Sequence, residues 1–428
     1  MSSPVPRLQQ KQLATLAPIA ALLIGWRVFT LMCAWFATFL LPLQTTFTPF
    51  LTSFRANLPY YIWIWGNFDG IHYMSIAEKG YSPFRQPFFP LYPILVRILH
   101  QLTSLPYLLA ALVTSHLMFL AAIWVIWKLF HIDGVRRSSR WLFLTILITF
   151  PTAFTFGSAY NDALFLLLAC VTVLFTRQQR WGWASLVGGL ATLTRLNGLA
   201  LAVFIVAEYF TTTKLKTPSK HDVKGTTSGI LSEVTALALA HTWDVSTFRK
   251  NLQHRIHWQT IWKTRIWLVL LIPIAFLTYL TYIQITFHSW QVLFTSMSIW
   301  NQDHIVFPLQ VVWRYLKILR FHQPTYITYW VAVIELGFVA FYSLVVLLAI
   351  RKIRFSYWIF IVAMLLMPML TGTFAGMPRY ALHLYPFFLA LTVLLEDRPA
   401  WLRIEYLVTS SIMMAIIISF FTRGYFIT

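Results

Sequence analysis

The residues best suited to chemistry lie in the segment 65–73, which reads Trp-Gly-Asn-Phe-Asp-Gly-Ile-His-Tyr and follows the first apolar stretch. The whole sequence contains only 13 acidic residues. An acid beside glycine, followed closely by His72 and Tyr73 where the chain leaves a membrane, is placed to take a proton from a substrate hydroxyl. We therefore interpret Asp69 as the first candidate for a catalytic base. The alternative is structural, because Asp-Gly is also a common turn dipeptide.

Arginines accumulate on the same predicted side of the membrane as Asp69, although basic residues normally favour the cytoplasmic side. A guanidinium is always charged, and its planar fork of donors suits phosphate. An acid and several arginines on one face therefore suggest a lipid-linked phosphate substrate and a base. Each arginine could instead extend its side chain to lipid headgroups. The candidates on this side are Arg55, Arg85, Arg97, Arg195, Arg314, Arg320 and Arg379.

The composition identifies an integral membrane protein. Apolar residues make up 58% of the chain and charged residues 11%, and the mean hydropathy is +0.67. Soluble domains carry about 25% charged residues. The net charge of +20 does not indicate a nucleic-acid partner, because the basic residues form short clusters between apolar segments, as expected for cytoplasmic loops.

The apolar pattern predicts an all-α fold, a polytopic transmembrane helix bundle of about 10–11 spans with a large first extracytoplasmic loop over residues 42–104. Part of that loop, near 88–103, could be re-entrant or form a short interfacial helix. A polar break at 194–198 divides the long apolar stretch 182–210 into two short spans. The apolar segments lie near 14–41, 105–130, 141–157, 160–176, twice within 182–210, and near 264–286, 326–350, 355–373, 380–395 and 402–421.

Three regions follow from this pattern. Residues 1–210 form an N-terminal transmembrane module that contains the candidate catalytic loop. Residues 211–263 are polar and basic and are interpreted as a cytoplasmic insert. Residues 264–428 form the remaining transmembrane helices.

Several motifs of other enzyme classes are missing from the sequence. It has no Gly-x-x-x-x-Gly-Lys phosphate loop and no His-Glu-x-x-His metal helix, and it has no Gly-x-Ser-x-Gly nucleophile elbow. The carboxylates are not paired at a metal-ligand spacing. We therefore expect neither a cofactor nor an obligatory catalytic metal.

Five blocks, in order along the chain, resemble the GPI mannosyltransferase 2 family (phosphatidylinositol-glycan class V) and its prokaryotic relatives. Two departures stand out: Asp162 replaces the usual Glu, and Leu196 replaces Ser. The blocks are the segment 65–81, the Phe-Phe-Pro-Leu-Tyr-Pro run at 88–93, Tyr-Asn-Asp-Ala-Leu-Phe at 160–165, Thr-Arg-Leu-Asn-Gly at 194–198, and Arg379-Tyr380 followed by Tyr385-Pro386.

This family belongs to the polytopic GT-C glycosyltransferases. The resemblance implies transfer of mannose from a polyprenyl-phosphate (dolichyl-phosphate-like) donor to a lipid-linked or glycan acceptor on the extracytoplasmic face, which is that of the plasma membrane in a prokaryote. In this superfamily an acid in the first outer loop is the base, which matches Asp69. A prokaryotic relative need not use a GPI acceptor.

The chemistry that follows is a single displacement with inversion at the anomeric carbon. Arg195 or Arg379, together with His72 or His383, would hold the leaving phosphate and stabilise its charge. Asn161 and Asp162 could alternatively form the N-cap of the following helix. The remaining substrate-binding candidates are Tyr73, Arg85, Tyr92, Asn161, Asp162, Asn197 and Tyr380.

Other functions use the same features. A transporter or flippase of lipid-linked sugars would need the same arginines, but it would also need access from both faces. A GT-C enzyme for another sugar would differ only in its donor. A structural subunit of a membrane complex would not need so many polar residues on the outer face.

Overall fold

The computed structural model of the protein describes residues 7–44, 57–212, 248, 252, 258–300, 302 and 304–426. These residues form helices and no strand, which confirms the predicted all-α class. The α-helices are, in chain order, α1 Arg7–Leu40, α2 Tyr60–Trp63, α3 Asp69–Lys79, α4 Leu91–Thr103, α5 Tyr107–Ile132, α6 Arg137–Thr149, α7 Asp162–Arg177, α8 Trp181–Thr192, α9 Ala200–Thr211, α10 Trp258–Thr264, α11 Leu271–Phe287, α12 Val292–Thr295, α13 Pro308–Phe321, α14 Ile327–Leu348, α15 Phe355–Met369, α16 Met377–Tyr380, α17 Tyr385–Glu396 and α18 Ala400–Thr422.

The helices confirm a multi-pass membrane protein. In the described part of the chain, 5 helices are long and apolar enough to cross a membrane, or up to 6 if a pair bent by 90° at Leu384 counts as one span. Two further predicted spans coincide with shorter apolar helical segments, Leu196–Thr211 and Phe355–Met369. The full-length candidates are Ala17–Leu40, Tyr107–Ile132, Ile266–Phe287, Ile327–Leu348 and Ala400–Thr422.

The short helices leave irregular backbone in the middle of the bundle. Residues 150–161, between α6 and α7, are all buried. Within them only Ala153–Gly157 form a short 3-10 helix, and backbone outside helices is tolerated inside a bilayer only where protein satisfies its polar groups. Here the Ala159 N–H donates to the Trp65 carbonyl at 2.9 Å, and the Thr152 hydroxyl donates to the Pro378 carbonyl at 2.8 Å. This buried layer therefore joins the first loop to α16.

The first loop is largely helical where the structure describes it. Within the stretch 88–103, predicted to be re-entrant or a short interfacial helix, Leu91–Thr103 form the helix α4. Asp69 begins α3 rather than lying in a turn. Phe68, immediately before α3, has a φ of 56°, a strained value for an aromatic residue. Its ring packs 5.3 Å from Phe426, centroid to centroid, and the adjacent Asn67 amide donates to the Phe421 carbonyl at 2.8 Å. The start of α3 is therefore fixed by contacts with the segment 421–426.

A network of buried ions lies away from Asp69, at the last turns of α5, α7 and α9. The Arg177 guanidinium donates to Glu208 at 2.8 Å and to Asp133 at 3.1 Å. Arg354, just before α15, donates to Glu208 at 2.8 Å, and the Tyr385 hydroxyl donates to Asp133 at 2.9 Å. These bonds join five chain segments at one end of the bundle.

The predicted division into 1–210, 211–263 and 264–428 remains a prediction. Residues 213–247 of the basic insert lie outside the described residues, and its last residues begin α10.

Candidate active site

Asp69 pairs with an arginine that is far away in the sequence. The Arg379 Nη1 donates to Asp69 Oδ2 at 2.7 Å. Asp69 is the first residue of α3, and Arg379 lies in the single turn of α16, which follows Gly376 at a φ of +78°. That left-handed conformation suits glycine. The Arg379 guanidinium carbon also lies 5.2 Å from the centre of the Tyr160 ring. Both predicted charged residues therefore meet at one point.

A second ionic cluster lies beside this pair. The Arg195 Nη1 donates to Asp162 Oδ1 at 2.7 Å, and the His383 Nε2 lies 2.8 Å from the same oxygen. Asp162 and His383 are fully buried, while the Arg195 side chain is 17% exposed to solvent. Arg195 sits in the extended break between α8 and the short turn before α9. Asp162 and His383 therefore hold one end of a guanidinium that remains partly exposed.

A polar cavity of about 180 Å³ lies between these two clusters. Two buried donor groups on its wall, the Asn197 Nδ2 and the Arg379 Nε, have no hydrogen-bond partner within the described residues. Buried polar groups in proteins normally have partners, so these donors indicate room for an anionic or hydroxylated ligand. The polar lining residues are Asp69, Tyr73, Asn161, Thr194, Arg195, Asn197, Gln302, Thr371, Arg379 and Tyr380.

Some predicted residues lie outside the cavity wall. The ring of His72 stacks on Phe88 with a centroid distance of 4.4 Å. Burial lowers the pKa of His72 below its usual 6.5; the nearby Asp69 opposes this shift and Arg85 reinforces it. Arg85 donates to the Ser75 hydroxyl. The Tyr92 hydroxyl donates to a backbone carbonyl of α5. These contacts place all three side chains behind the wall.

Asp162 and His383 do not line the cavity; they contact Arg195, which does. Asn161 occupies the N-cap position of α7, as the alternative interpretation has it, but its side chain makes no capping bond. Its amide instead donates to the Thr194 carbonyl at 2.8 Å and ties α7 to the break that carries Arg195.

Sequence reasoning missed several residues of the site. Gln302 and Met367 line the cavity, but their residue types carry no signal of their own. Arg27 does not line the cavity, but it could have been singled out, because an ionisable residue inside an apolar span is usually functional or paired. Its guanidinium lies 4.4 Å above the ring of Trp65, four residues before Asp69.

The described part of the chain contains no group of three or more His, Cys, Asp or Glu residues arranged to hold a metal ion.

The comparison with protein families gives one match. Residues 90–209 match the model of Glycosyltransferase family 87. This region includes Asn161, Asp162, Arg195 and Asn197 and ends within α9. The match supports a membrane glycosyltransferase, and the matching family is not the GPI mannosyltransferase 2 family that the sequence blocks resemble. No curated protein and no solved structure matches the chain.

Proposed function

We propose that the protein transfers mannose from a polyprenyl-phosphate donor to a hydroxyl of a lipid-linked or glycan acceptor, with Asp69 as the general base. The basic clusters lie in the loops at the other ends of the helices, and such loops are normally cytoplasmic. The cavity would therefore face the extracytoplasmic side. The ordered blocks from 65 to 386 favour mannose, and the family match over 90–209 supports glycosyl transfer in general.

One observation carries the proposal: a carboxylate and two guanidinium groups converge on one polar cavity. Asp69, Arg195 and Arg379 all line it, although they come from α3, the break before α9, and α16. Two arginines match the charge of a phosphodiester that becomes a phosphate monoester on leaving. A carboxylate beside them supplies the base that an acceptor hydroxyl requires.

The reaction would proceed in one step. Asp69 Oδ1, which makes no hydrogen bond within the described residues, takes the proton of the acceptor hydroxyl. The hydroxyl oxygen forms a bond to the anomeric carbon as the bond from that carbon to the phosphate oxygen breaks. The electron pair leaves on the polyprenyl phosphate, where Arg195 and Arg379 stabilise the added charge. Because phosphate is an acidic leaving group, no protein acid is needed.

Product analysis tests this proposal. The purified protein, reconstituted in liposomes, is given polyprenyl-phosphate mannose and membrane lipid acceptors, and the products are identified by mass spectrometry. We expect a new mannoside whose formation falls by about 10²–10⁴-fold in Asp69→Asn. Glu78→Gln is the matched control, because Glu78 lies on the same helix and pairs with exposed Lys79.

Two results would contradict the proposal. A folded Asp69→Asn protein with normal turnover would remove Asp69 as the base. Movement of the donor across the bilayer without a new glycoside would instead identify a transporter. A panel of glucosyl and arabinosyl donors tests the choice of mannose in the same assay.

A further inference from the structure

Glu335 is the only Asp, Glu, Lys, Arg or His residue of α14, and it lies near the middle of that candidate membrane span. It is 4% exposed. Among the described residues it makes no ion pair, whereas Asp162 and Glu208 each pair with an arginine. An ionisable side chain inside an apolar span is costly and is usually functional or paired. Glu335 is therefore a candidate for a functional role.

The carboxylate of Glu335 accepts a hydrogen bond from the Tyr315 hydroxyl of α13. A tyrosine hydroxyl has one proton, and Glu335 takes it. The hydroxyl oxygen is therefore left to accept, from the Phe374 N–H at 2.9 Å and from the Thr373 hydroxyl at 3.0 Å. An ionised acceptor strengthens its own hydrogen bond and, by polarisation, the next one in the chain. Glu335 thus holds the backbone of Phe374 through Tyr315.

Phe374 lies at the start of the backbone turn that carries Arg379. Its carbonyl accepts the Met377 N–H at 2.9 Å, and the Gly376 carbonyl accepts the Arg379 N–H at 2.9 Å. The segment 371–376 is not helical, and part of it lines the polar cavity. Because it lacks regular structure, its position depends on bonds from the neighbouring helices.

The same face of α14 holds the other end of this turn. Tyr342 lies seven residues after Glu335, on the same side of the helix. Its hydroxyl donates to the carbonyl of Pro378, the residue before Arg379, at 3.0 Å. Because the bond of Tyr342 does not involve Glu335, loss of the carboxylate would free only the first end of the turn.

We infer that Glu335 is a positioning residue for Arg379, and that it acts through the Tyr315 hydroxyl and the Phe374 N–H. This inference rests on the proposed function and adds a residue that sets where the guanidinium meets the leaving phosphate. Glu335 and Tyr315 do not line the cavity, so they act without touching the substrate.

Glu335→Gln tests this role, with kcat and KM measured separately in liposomes. Glutamine keeps the shape and an acceptor oxygen but removes the charge. We expect kcat to fall by about 5–10-fold, with the KM for the donor unchanged. The fall should disappear in an Arg379→Lys background, because both residues act on the same phosphate contact.

Glu208→Gln is the matched control. Glu208 is also a buried carboxylate that accepts from a hydroxyl, that of Ser356, but it belongs to the ion network away from the cavity. Its substitution should lower stability and leave kcat unchanged. Glu335→Leu combined with Tyr315→Phe is a second variant if Glu335→Gln does not fold, because replacement of both partners by apolar groups leaves no buried charge unpaired. It should lower kcat at least as much.

Hydrogen exchange measures the positioning without turnover. Peptides that cover 370–376 should exchange about 5–10-fold faster in Glu335→Gln than in the wild-type protein, because the Phe374 N–H is held less firmly. The same peptides should exchange at the wild-type rate in Glu208→Gln.

Three results would overturn the inference: normal kcat in Glu335→Gln, a fall in kcat that is just as large in the Arg379→Lys background, or unchanged exchange over 370–376. If the wild-type protein forms no glycoside, the proposed function fails, while hydrogen exchange still decides whether Glu335 holds this segment.

Discussion

Substitution of Arg379 by lysine tests whether this arginine stabilises the leaving phosphate or only orients Asp69. Lysine keeps the positive charge but loses the fork, so it cannot occupy the 2.7 Å contact with Asp69 and also present a second donor in place of the Arg379 Nε. A hydrogen bond between charged groups is worth about 1.5–3 kcal/mol. Loss of one such bond to the leaving phosphate lowers kcat by about 10–150-fold.

The assay is steady-state transfer from polyprenyl-phosphate mannose, with kcat and KM determined separately. An interaction that strengthens in the transition state lowers kcat and kcat/KM together. Arg320→Lys is the control, because Arg320 is an exposed arginine on α13 that does not line the cavity.

Combining Arg379→Lys with Asp69→Asn separates two roles. If Arg379 acts on the phosphate, its effect remains in the Asp69→Asn background; if it acts only by orienting Asp69, the two losses do not add. Wild-type kcat in Arg379→Lys, in protein that is correctly folded, would refute the assignment of a phosphate-binding role to this arginine.

Two further predictions concern stability. Glu208→Gln should lower the free energy of unfolding by about 3 kcal/mol, because it leaves the buried Arg177 and Arg354 without a counter-charge. Thermal melts in detergent should show this loss of stability, and the KM for the donor should be unchanged. Because burial depresses the pKa of His72, protonation favours the unfolded state. Its stabilising contribution is present above about pH 6.5 and is lost at lower pH. His72→Gln should therefore show a smaller fall in melting temperature on acidification than the wild-type protein, and equal falls would contradict this.

The sequence was sufficient for the fold class and for the chemical types at the site. Long apolar segments and basic clusters predict a polytopic bundle, and the polar break at 194–198 is present as the extended residue Arg195 between two short helices. Asp69, Arg195 and Arg379 stand out by type, because charge near hydrocarbon is costly. Each of these signals depends only on residues that are neighbours in the sequence, so a single sequence is enough to recognise it.

The pairing of these residues could not be predicted. Asp69 and Arg379 are separated by 310 positions, and Arg195 and His383 by 188. The pattern of apolar residues does not show which segments lie close in space when they are this far apart in the sequence. The start of α3 was not predicted, because Gly70 disfavours a helix. In the structure, the contacts of Asn67 and Phe68 with the segment 421–426 offset this unfavourable propensity.

These contacts make the position of the proposed base depend on residues far from it in the sequence. The backbone turn that places Asp69 at the cavity is held by the ring of Phe426 and the carbonyl of Phe421. A Phe426→Ala substitution removes the ring that packs against Phe68, which would let Phe68 relax to a negative φ and rotate the carboxylate away from Arg379. Loss of transfer in such a variant would reflect a displaced carboxylate and not a missing one.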